Sequence, residues 1–202
     1  MNDGRLIQEM ADSGKIFYSV YKSPVGPLYL IGGNDRIKSI LFKNRDSDRY
    51  HVEKKFMKSA TPSIRNAVLL LDEYFRYITG ATLKGKRNFT LRTSSRGDLL
   101  IFSSGGISVS ADISVFSDNE KKVYRQLARI PVGDTISYKK LSEISGIPDG
   151  SRFVGNAMAK NFFPIIIPCH RVIKSDGTRG NYSGGNWIKD YLLDHEKADL
   201  HG

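Results

Sequence analysis

Apolar positions change their spacing several times along this chain, and each change marks an element. Phe17–Tyr21, Leu28–Ile31 and Ile37–Phe42 are short apolar runs, set apart by Ser23-Pro24-Val25-Gly26-Pro27 and Gly32-Gly33-Asn34-Asp35. Short runs punctuated by Gly, Pro and Asn predict an antiparallel meander of strands. From Pro62 to about Thr79 the period becomes helical, with Ile64, Ala67, Val68, Leu71, Tyr74, Phe75 and Ile78 on one face and Thr61 or Ser63 as caps. Its aromatic stripe reads as core. Leu99–Phe102, the turn Ser103-Ser104-Gly105-Gly106 and Ile107–Val115 predict a hairpin, and Ile107, Val109, Ala111, Ile113 and Val115 alternate with polar residues.

Beyond Ser117 the pattern is helical. Ser117 and Glu120 form a capping box that opens a helix to Arg129, with Val123 and Leu127 inward, and Ile130-Pro131-Val132-Gly133 closes it. Ser137 caps a short helix carrying Leu141 and Ile144, which Gly146 and Pro148 break before a second helix over 150–160. Two short helices across a glycine turn fit a helix-turn-helix, and equally a helical hairpin with no nucleic-acid partner. A last helix spans about Asn186 to Ala198, with Ile188, Tyr191, Leu192 and His195 as its apolar face. Glu196 falls on that face, eight residues beyond Ile188. A carboxylate near a helix C-terminus opposes the macrodipole, so if buried it needs a partner, and if unpaired it lies in an exposed final turn.

The remaining stretches are polar. Residues Met1 to about Lys15 read as a loose terminus, Asp46–Lys58 as helix or solvated loop, and Lys84-Gly85-Lys86-Arg87, with Arg92 and Arg96, as a basic solvated loop. The 202 residues leave room for one large or two small domains, each with its own core. No apolar run is long enough to span a membrane, and the first residues lack a signal-peptide core. A net charge of +10 favours an anionic partner, nucleic acid first, although it serves solubility equally well. Only 13 of the 31 Lys and Arg lie from Ser117 onward, so the excess does not mark the site.

One residue concentrates the chemistry. Cys169 is the only cysteine, and it sits in Ile165-Ile166-Ile167-Pro168-Cys169-His170-Arg171-Val172. An unpaired cysteine excludes an intramolecular disulfide and a multi-cysteine zinc site, and it suits a reducing, intracellular (cytoplasmic) compartment. A thiol attacks as thiolate, and His170 and Arg171 are at hand to lower its pKa. The apolar run predicts a stiff, buried segment leading to the sulfur. A cysteine in apolar surroundings also occurs simply as a small buried hydrophobe, and adjacency alone gives no Cys–His contact.

The sequence Pro168-Cys169-His170-Arg171-Val172 resembles the active-site motif of the O6-alkylguanine-DNA alkyltransferases, and further motifs follow in the family's order. Ile136–Leu141 (ISYKKL), Ser151–Asn161 (SRFVGNAMAKN), Gly180–Gly185 (GNYSGG) and Leu192–Glu196 (LLDHE) are similar to the family's tyrosine segment, recognition helix, substrate loop and glutamate. The resemblance implies an α+β protein. Its N-terminal antiparallel sheet with a helix (ribonuclease-H-like) covers 1–90, an extended linker or hairpin covers 91–116, and a C-terminal helical domain with a helix-turn-helix (winged-helix-like) covers 117–202. It implies DNA repair by a single, irreversible transfer of an alkyl group from O6 of guanine, and also from O4 of thymine, to Cys169. His170 would be the base, through a bound water, with Glu196 orienting it and Tyr138 donating a proton to the guanine. Arg152 would replace a base extruded through the minor groove. Gly155, Ala157 and Ala159 would keep that helix flank small, and Asn161 would tie the nucleophile segment to the helix-turn-helix. Ser137, Met158, Val172 and Ser183 would contact DNA or the base, the Val172 carbonyl taking the exocyclic amine. The implied partner is double-stranded alkylated DNA, bound by a monomer with no metal, cofactor, membrane or obligatory protein partner. A lesion sensor of the same fold would lack the cysteine, and a Cys–His hydrolase would turn over repeatedly.

The chain departs from the family at Ser117-Asp118-Asn119-Glu120, where Gly-Thr-x-Phe-Gln is usual, at Phe153, and at Phe162 in place of Asn-Pro. The first bears on interdomain packing, the others on DNA affinity or damage range.

Overall fold

The turn at Pro24-Val25 folds β1 (Phe17–Ser23) back on β2 (Gly26–Gly32), and the next turn brings β3 (Ile37–Phe42) beside β2, both pairs antiparallel. The predicted meander is therefore present. In this computed structural model the described residues are 15–42, 52, 56–80, 90–94, 99–104 and 106–198. The polar terminus before Lys15, most of the Asp46–Lys58 stretch, Lys84–Arg87 and Arg96 lie outside them.

The meander continues into a larger sheet. Two residues of β4 (Met57–Lys58) pair parallel with β1, and β7 (Ile107–Asp112) pairs parallel with β3 through Ile37 and Ala111. Antiparallel β6 (Leu99–Ser104) and β5 (Thr90–Thr93) complete the order β4-β1-β2-β3-β7-β6-β5. The 91–116 stretch thus contains a hairpin, and its strands are built into the N-terminal sheet. The alternation read there holds through Val109, Ala111 and Ile113, all buried, and ends at a turn that leaves Val115 exposed.

Helix α1 (Pro62–Ile78) covers one face of the sheet with Ile64, Ala67, Leu71, Tyr74, Phe75 and Ile78. Thr61 is its N-cap, but its hydroxyl bonds the Gly33 carbonyl (2.7 Å) and tethers the helix to the β2–β3 turn. In the C-terminal half, α2 (Asp118–Leu127) opens with the predicted capping box, and Glu120 also pairs with Lys160 at 2.8 Å. Helices α3 (Tyr138–Ile144) and α4 (Ser151–Ala159) flank a turn in which Gly146 has φ 70° and Asp149 φ 56°, left-handed values that glycine and aspartate tolerate. The Ser137 hydroxyl caps α3 by accepting from Lys140 N (3.0 Å). Parallel β8 (Ile136–Ser137) and β9 (Val172–Ile173) pin the start of α3 beside the segment that follows the cysteine.

Phe162, one of the departures, belongs to the joint between the halves. It stacks on Phe116 (5.5 Å), which meets Tyr124 and Phe163 edge-on, and its carbonyl accepts from Ile40 N of β3 at 2.7 Å. Such a cluster is worth roughly 0.5–1.5 kcal/mol per aromatic pair beyond its area. Phe153 is half-buried against the same core. Both phenylalanines act through packing.

Candidate active site

The segment entering the cysteine is buried, as the apolar run predicts, and is shaped as a turn. Ile165 has φ 72°, a costly value for a β-branched residue, and Ile167 N bonds the Phe163 carbonyl (2.8 Å). Asn161 holds this shape. Its side chain accepts from Phe163 N (2.9 Å), donates to the Ile167 carbonyl (2.8 Å), and reaches Cys169 Sγ at 3.0 Å. The chain then winds through a single 3-10 turn, Cys169–Arg171, that sends the three side chains to different places.

Cys169 is 4 % exposed and forms part of the floor of a cleft of about 610 Å³. Tyr138, Arg152, Gly155, Met158 and Ser183, all anticipated, line it too, together with Ser151, Ala159, Lys174, Gly180, Asn181 and Tyr182. Arg152 stands exposed in the first turn of α4 at the rim. Ala157, expected on the same flank, faces inward instead. It is buried, and its carbonyl accepts from the Tyr124 hydroxyl (2.7 Å), because the face carrying Val154, Ala157 and Met158 packs on α2. Val172 is buried in β9 behind the cleft, and its carbonyl already accepts from Lys189 Nζ at 2.7 Å.

His170 is fully buried, and its Nε2 lies 2.9 Å from Glu196 Oε1. Nδ1 has no hydrogen-bond partner among the described residues. Since an ionised carboxylate only accepts, Nε2 carries the proton and Nδ1 the lone pair. Glu196 does not serve His170 alone. Arg171 clamps both its oxygens through Nε (3.0 and 3.3 Å) and Nη2 (2.8 Å), Tyr74 of α1 donates to Oε1 at 2.6 Å, and Gly133 N reaches Oε2 at 3.3 Å. Burial alone would raise the carboxyl pKa, but the charges and hydrogen bonds of His170 and Arg171 outweigh it and hold the group far below the usual range.

These contacts correct the expectation of an acidified thiol. Burial pushes the Cys169 pKa up, with Asn161, Tyr182 and Lys189 opposing it, and burial pushes His170 down. Arg171 is turned to Glu196 and the Ile130 carbonyl, away from the sulfur. The pair is at rest a thiol and a neutral imidazole.

Two residues at the site, Lys189 and Tyr182, carry no reading of their own in the sequence, and two others take another role than expected. Lys189 is 1 % exposed, its pKa brought by burial to about 8, and its charge acts on Cys169. It sits seven residues before Glu196 on α5 (Asn186–Ala198), whose buried face is Ile188, Lys189, Leu192, Leu193 and Glu196. Tyr191 and His195 flank that face and stack on each other at 3.8 Å. Tyr182 places its hydroxyl 3.8 Å from Sγ and meets Phe42 edge-on. A side chain at Gly184 would fall 2.6 Å from Phe42 and 2.7 Å from Tyr182, so only glycine lets the loop close there. Arg171, expected beside the sulfur, and Tyr74, expected as a core aromatic, both bond Glu196 instead. Among the described residues no cluster of three metal-ligating side chains occurs, and no helix is long and apolar enough to cross a membrane.

The family model for the DNA-binding domain of 6-O-methylguanine DNA methyltransferase matches residues 118–198, and that for its ribonuclease-like domain matches 16–87. The chain is 31% identical to a methylated-DNA–protein-cysteine methyltransferase of Methanosarcina barkeri over 92% of its own length and 99% of the relative's. It is 47% identical to the human protein of that name over 74 residues, 37% of this chain and 36% of the human one. The O6-methylguanine methyltransferase of Mycobacterium tuberculosis superposes with a TM-score of 0.68 at 28% identity, covering 91% of this chain and 94% of that one; the same protein solved with DNA gives 0.67 at 28% identity, with the same coverage. A cysteine floor backed by a buried imidazole and carboxylate, matching family models over both halves and a relative aligned along nearly its whole length lead to one assignment: the chain belongs to the methylated-DNA–protein-cysteine methyltransferase family.

Proposed function

We propose that the chain repairs alkylated double-stranded DNA as a monomer, moving the alkyl group from O6 of guanine, and from O4 of thymine, to Cys169 in one irreversible event. The observation that carries the reading is the recessed sulfur in an open cleft, with His170 next to it in the chain held 2.9 Å from Glu196. The thiol proton passes through a water to His170 Nδ1, whose lone pair the Glu196 contact leaves available. Sulfur attacks the alkyl carbon, the carbon–oxygen bond breaks, and Tyr138 gives its proton to the departing guanine anion. The imidazolium and the phenolate then return to neutrality through solvent. A thioether holds no leaving group, so each molecule acts once. Glu196, already compensated by Arg171, fixes the tautomer of His170 and remains a carboxylate throughout.

A sulfur 4 % exposed cannot reach a base inside the stack, so the nucleotide must rotate out. Arg152, which lines the cleft with Gly155 and Ala159, fills the gap as α4 enters the minor groove, the small residues permitting the close approach. Met158 and Ser183 contact the base. Val172 can take the exocyclic amine on the remaining lone pair of its carbonyl, and Ser137 supports the site by capping α3. DNA binding and transfer reside in residues 117–202, joined through the 91–116 stretch to the N-terminal unit. A Cys–His hydrolase is disfavoured, because the polar neighbours of the sulfur are Asn161 and Tyr182.

Intact-mass spectrometry after incubation with an O6-methylguanine duplex tests this. One methyl per molecule, absent in Cys169→Ala, is expected; repeated turnover, or methylation of Cys169→Ala, would refute it.

A further inference from the structure

Contacts among the described residues run from the N-terminal unit to the segments that hold the site: Ile40 N and the Ser39 hydroxyl bond the Phe162 carbonyl, Phe42 packs on Tyr182 and Gly184, and the Tyr74 hydroxyl bonds Glu196 Oε1 at 2.6 Å. Those at Phe162, Tyr182 and Gly184 are packing and backbone joints. The Tyr74 bond lands on the same oxygen that receives His170 Nε2 at 2.9 Å and Arg171 Nη2 at 2.8 Å.

We propose that Tyr74, on a helix 122 residues away in sequence, is a positioning residue for alkyl transfer: by sharing Glu196 Oε1 with His170 it sets how strongly that imidazole accepts the thiol proton. The inference rests on His170 serving as the base. A hydrogen bond to an anion draws charge from the accepting oxygen, so each further donor on Oε1 leaves less to stabilise an imidazolium. Arg171 supplies most of that compensation and Tyr74 trims it. The phenol always donates, because burial first, and then the Glu196 charge, keep its pKa well above the ordinary range. Its ring is fixed edge-on to Phe75 at 5.2 Å and is 5 % exposed, so the hydroxyl has no solvent alternative.

The other polar groups facing the pair come from every element packed on it. They are Arg171 and Cys169 in the 3-10 turn, Tyr182 in the loop, Gly133 N after α2, and Lys189 on α5. All stay in place in Tyr74→Phe, which removes one oxygen and keeps the ring.

In Tyr74→Phe the His170 imidazole becomes more basic. The acid limb of the transfer rate against pH moves upward by on the order of half a unit. The His170 ring resonance, titrated by NMR, shifts its midpoint in the same direction. In a Glu196→Gln background the same substitution produces no shift. A limb and a resonance that stay where the wild type has them, in wild-type protein that does gain methyl mass, would overturn the Tyr74 assignment alone. A shift that persists without the carboxylate would overturn it as well, since Tyr74 would then act elsewhere. Wild-type protein that gains no methyl removes the alkyl-transfer reading and this inference together.

Discussion

Glu196→Gln is the substitution whose consequences the geometry fixes most tightly. Glutamine matches glutamate in shape, so the perturbation is one of charge and of one acceptor turned donor. In the native protein the carboxylate is 1 % exposed and faces Arg171, which is 6 % exposed and also bonds the Ile130 carbonyl. Removing the negative charge leaves a buried guanidinium without a counterion, and breaking a buried pair from one side costs about 3–5 kcal/mol. The Glu196 pKa is held far below its unfolded value, so the contribution is fully present above the unfolded pKa and is lost as pH falls through the folded one. Urea unfolding at pH 7 should therefore show Glu196→Gln destabilised by about 3–5 kcal/mol. The gap to wild type should narrow on acidification below about pH 4, where the carboxylate of the unfolded chain takes up protons and the folded one does not. Adding Arg171→Met to Glu196→Gln should recover part of the loss, because an apolar pair replaces a lone charge. A loss under about 1 kcal/mol, or one independent of pH, would show that Arg171 finds its charge compensated elsewhere and refute the reasoning.

Lys189→Met removes the cation whose charge acts on the sulfur; iodoacetamide alkylation of Cys169 should shift to higher pH and methyl transfer at pH 7 should slow by about tenfold, and an unchanged alkylation profile would refute it. Asn161→Ala cuts two hydrogen bonds that hold the turn and one to Sγ, so denaturation should show a loss of about 2–3 kcal/mol together with a less acidic thiol; a loss of stability alone would mean that the sulfur contact is incidental. Arg152→Ala should slow reaction with an O6-methylguanine duplex by about tenfold or more and leave reaction with free benzylguanine within about twofold, and equal losses would count against base extrusion by this residue.

What the sequence made legible was local. The meander was readable because Gly, Pro and Asn punctuate it, and the capping box at Ser117 because both partners lie within one turn. The cysteine motif and the boundaries of the two short helices were legible for the same reason, whereas for Glu196 the sequence left a buried pair and an exposed final turn both open. The hidden features depend on distance. That β7 joins β3 rests on one parallel pairing, Ile37 with Ala111, which alternation within 107–113 cannot announce. Tyr74 reads as one more core aromatic because only its hydroxyl is unusual, and its acceptor lies on the last helix. The buried face of α5 was placed one residue off, because Lys189 looks like a solvent position until the carbonyl of Val172 is known to face it. Arg171 was assigned to the sulfur by adjacency, whereas the 3-10 turn points it at Glu196.

The reversal of the expected thiol chemistry has a physical logic of its own. A cysteine kept as a free thiolate would react with any small electrophile, and a protein that acts once would be spent before meeting a lesion. Here burial raises the thiol and lowers the imidazole, so neither charge exists at rest. The opposing influences are fixed and modest: an amide at 3.0 Å, a phenol at 3.8 Å, and a buried ammonium bonded to a main-chain carbonyl. On the proposed mechanism, ionisation becomes favourable only when a departing guanine accepts the Tyr138 proton and the base that fills the cleft closes it to water, which strengthens each of those contacts. In that mechanism the Arg171–Glu196 pair serves the same end: Glu196, its charge already met by Arg171, holds the imidazole at 2.9 Å without forcing a proton onto it, and the cysteine stays protonated until there is something to take.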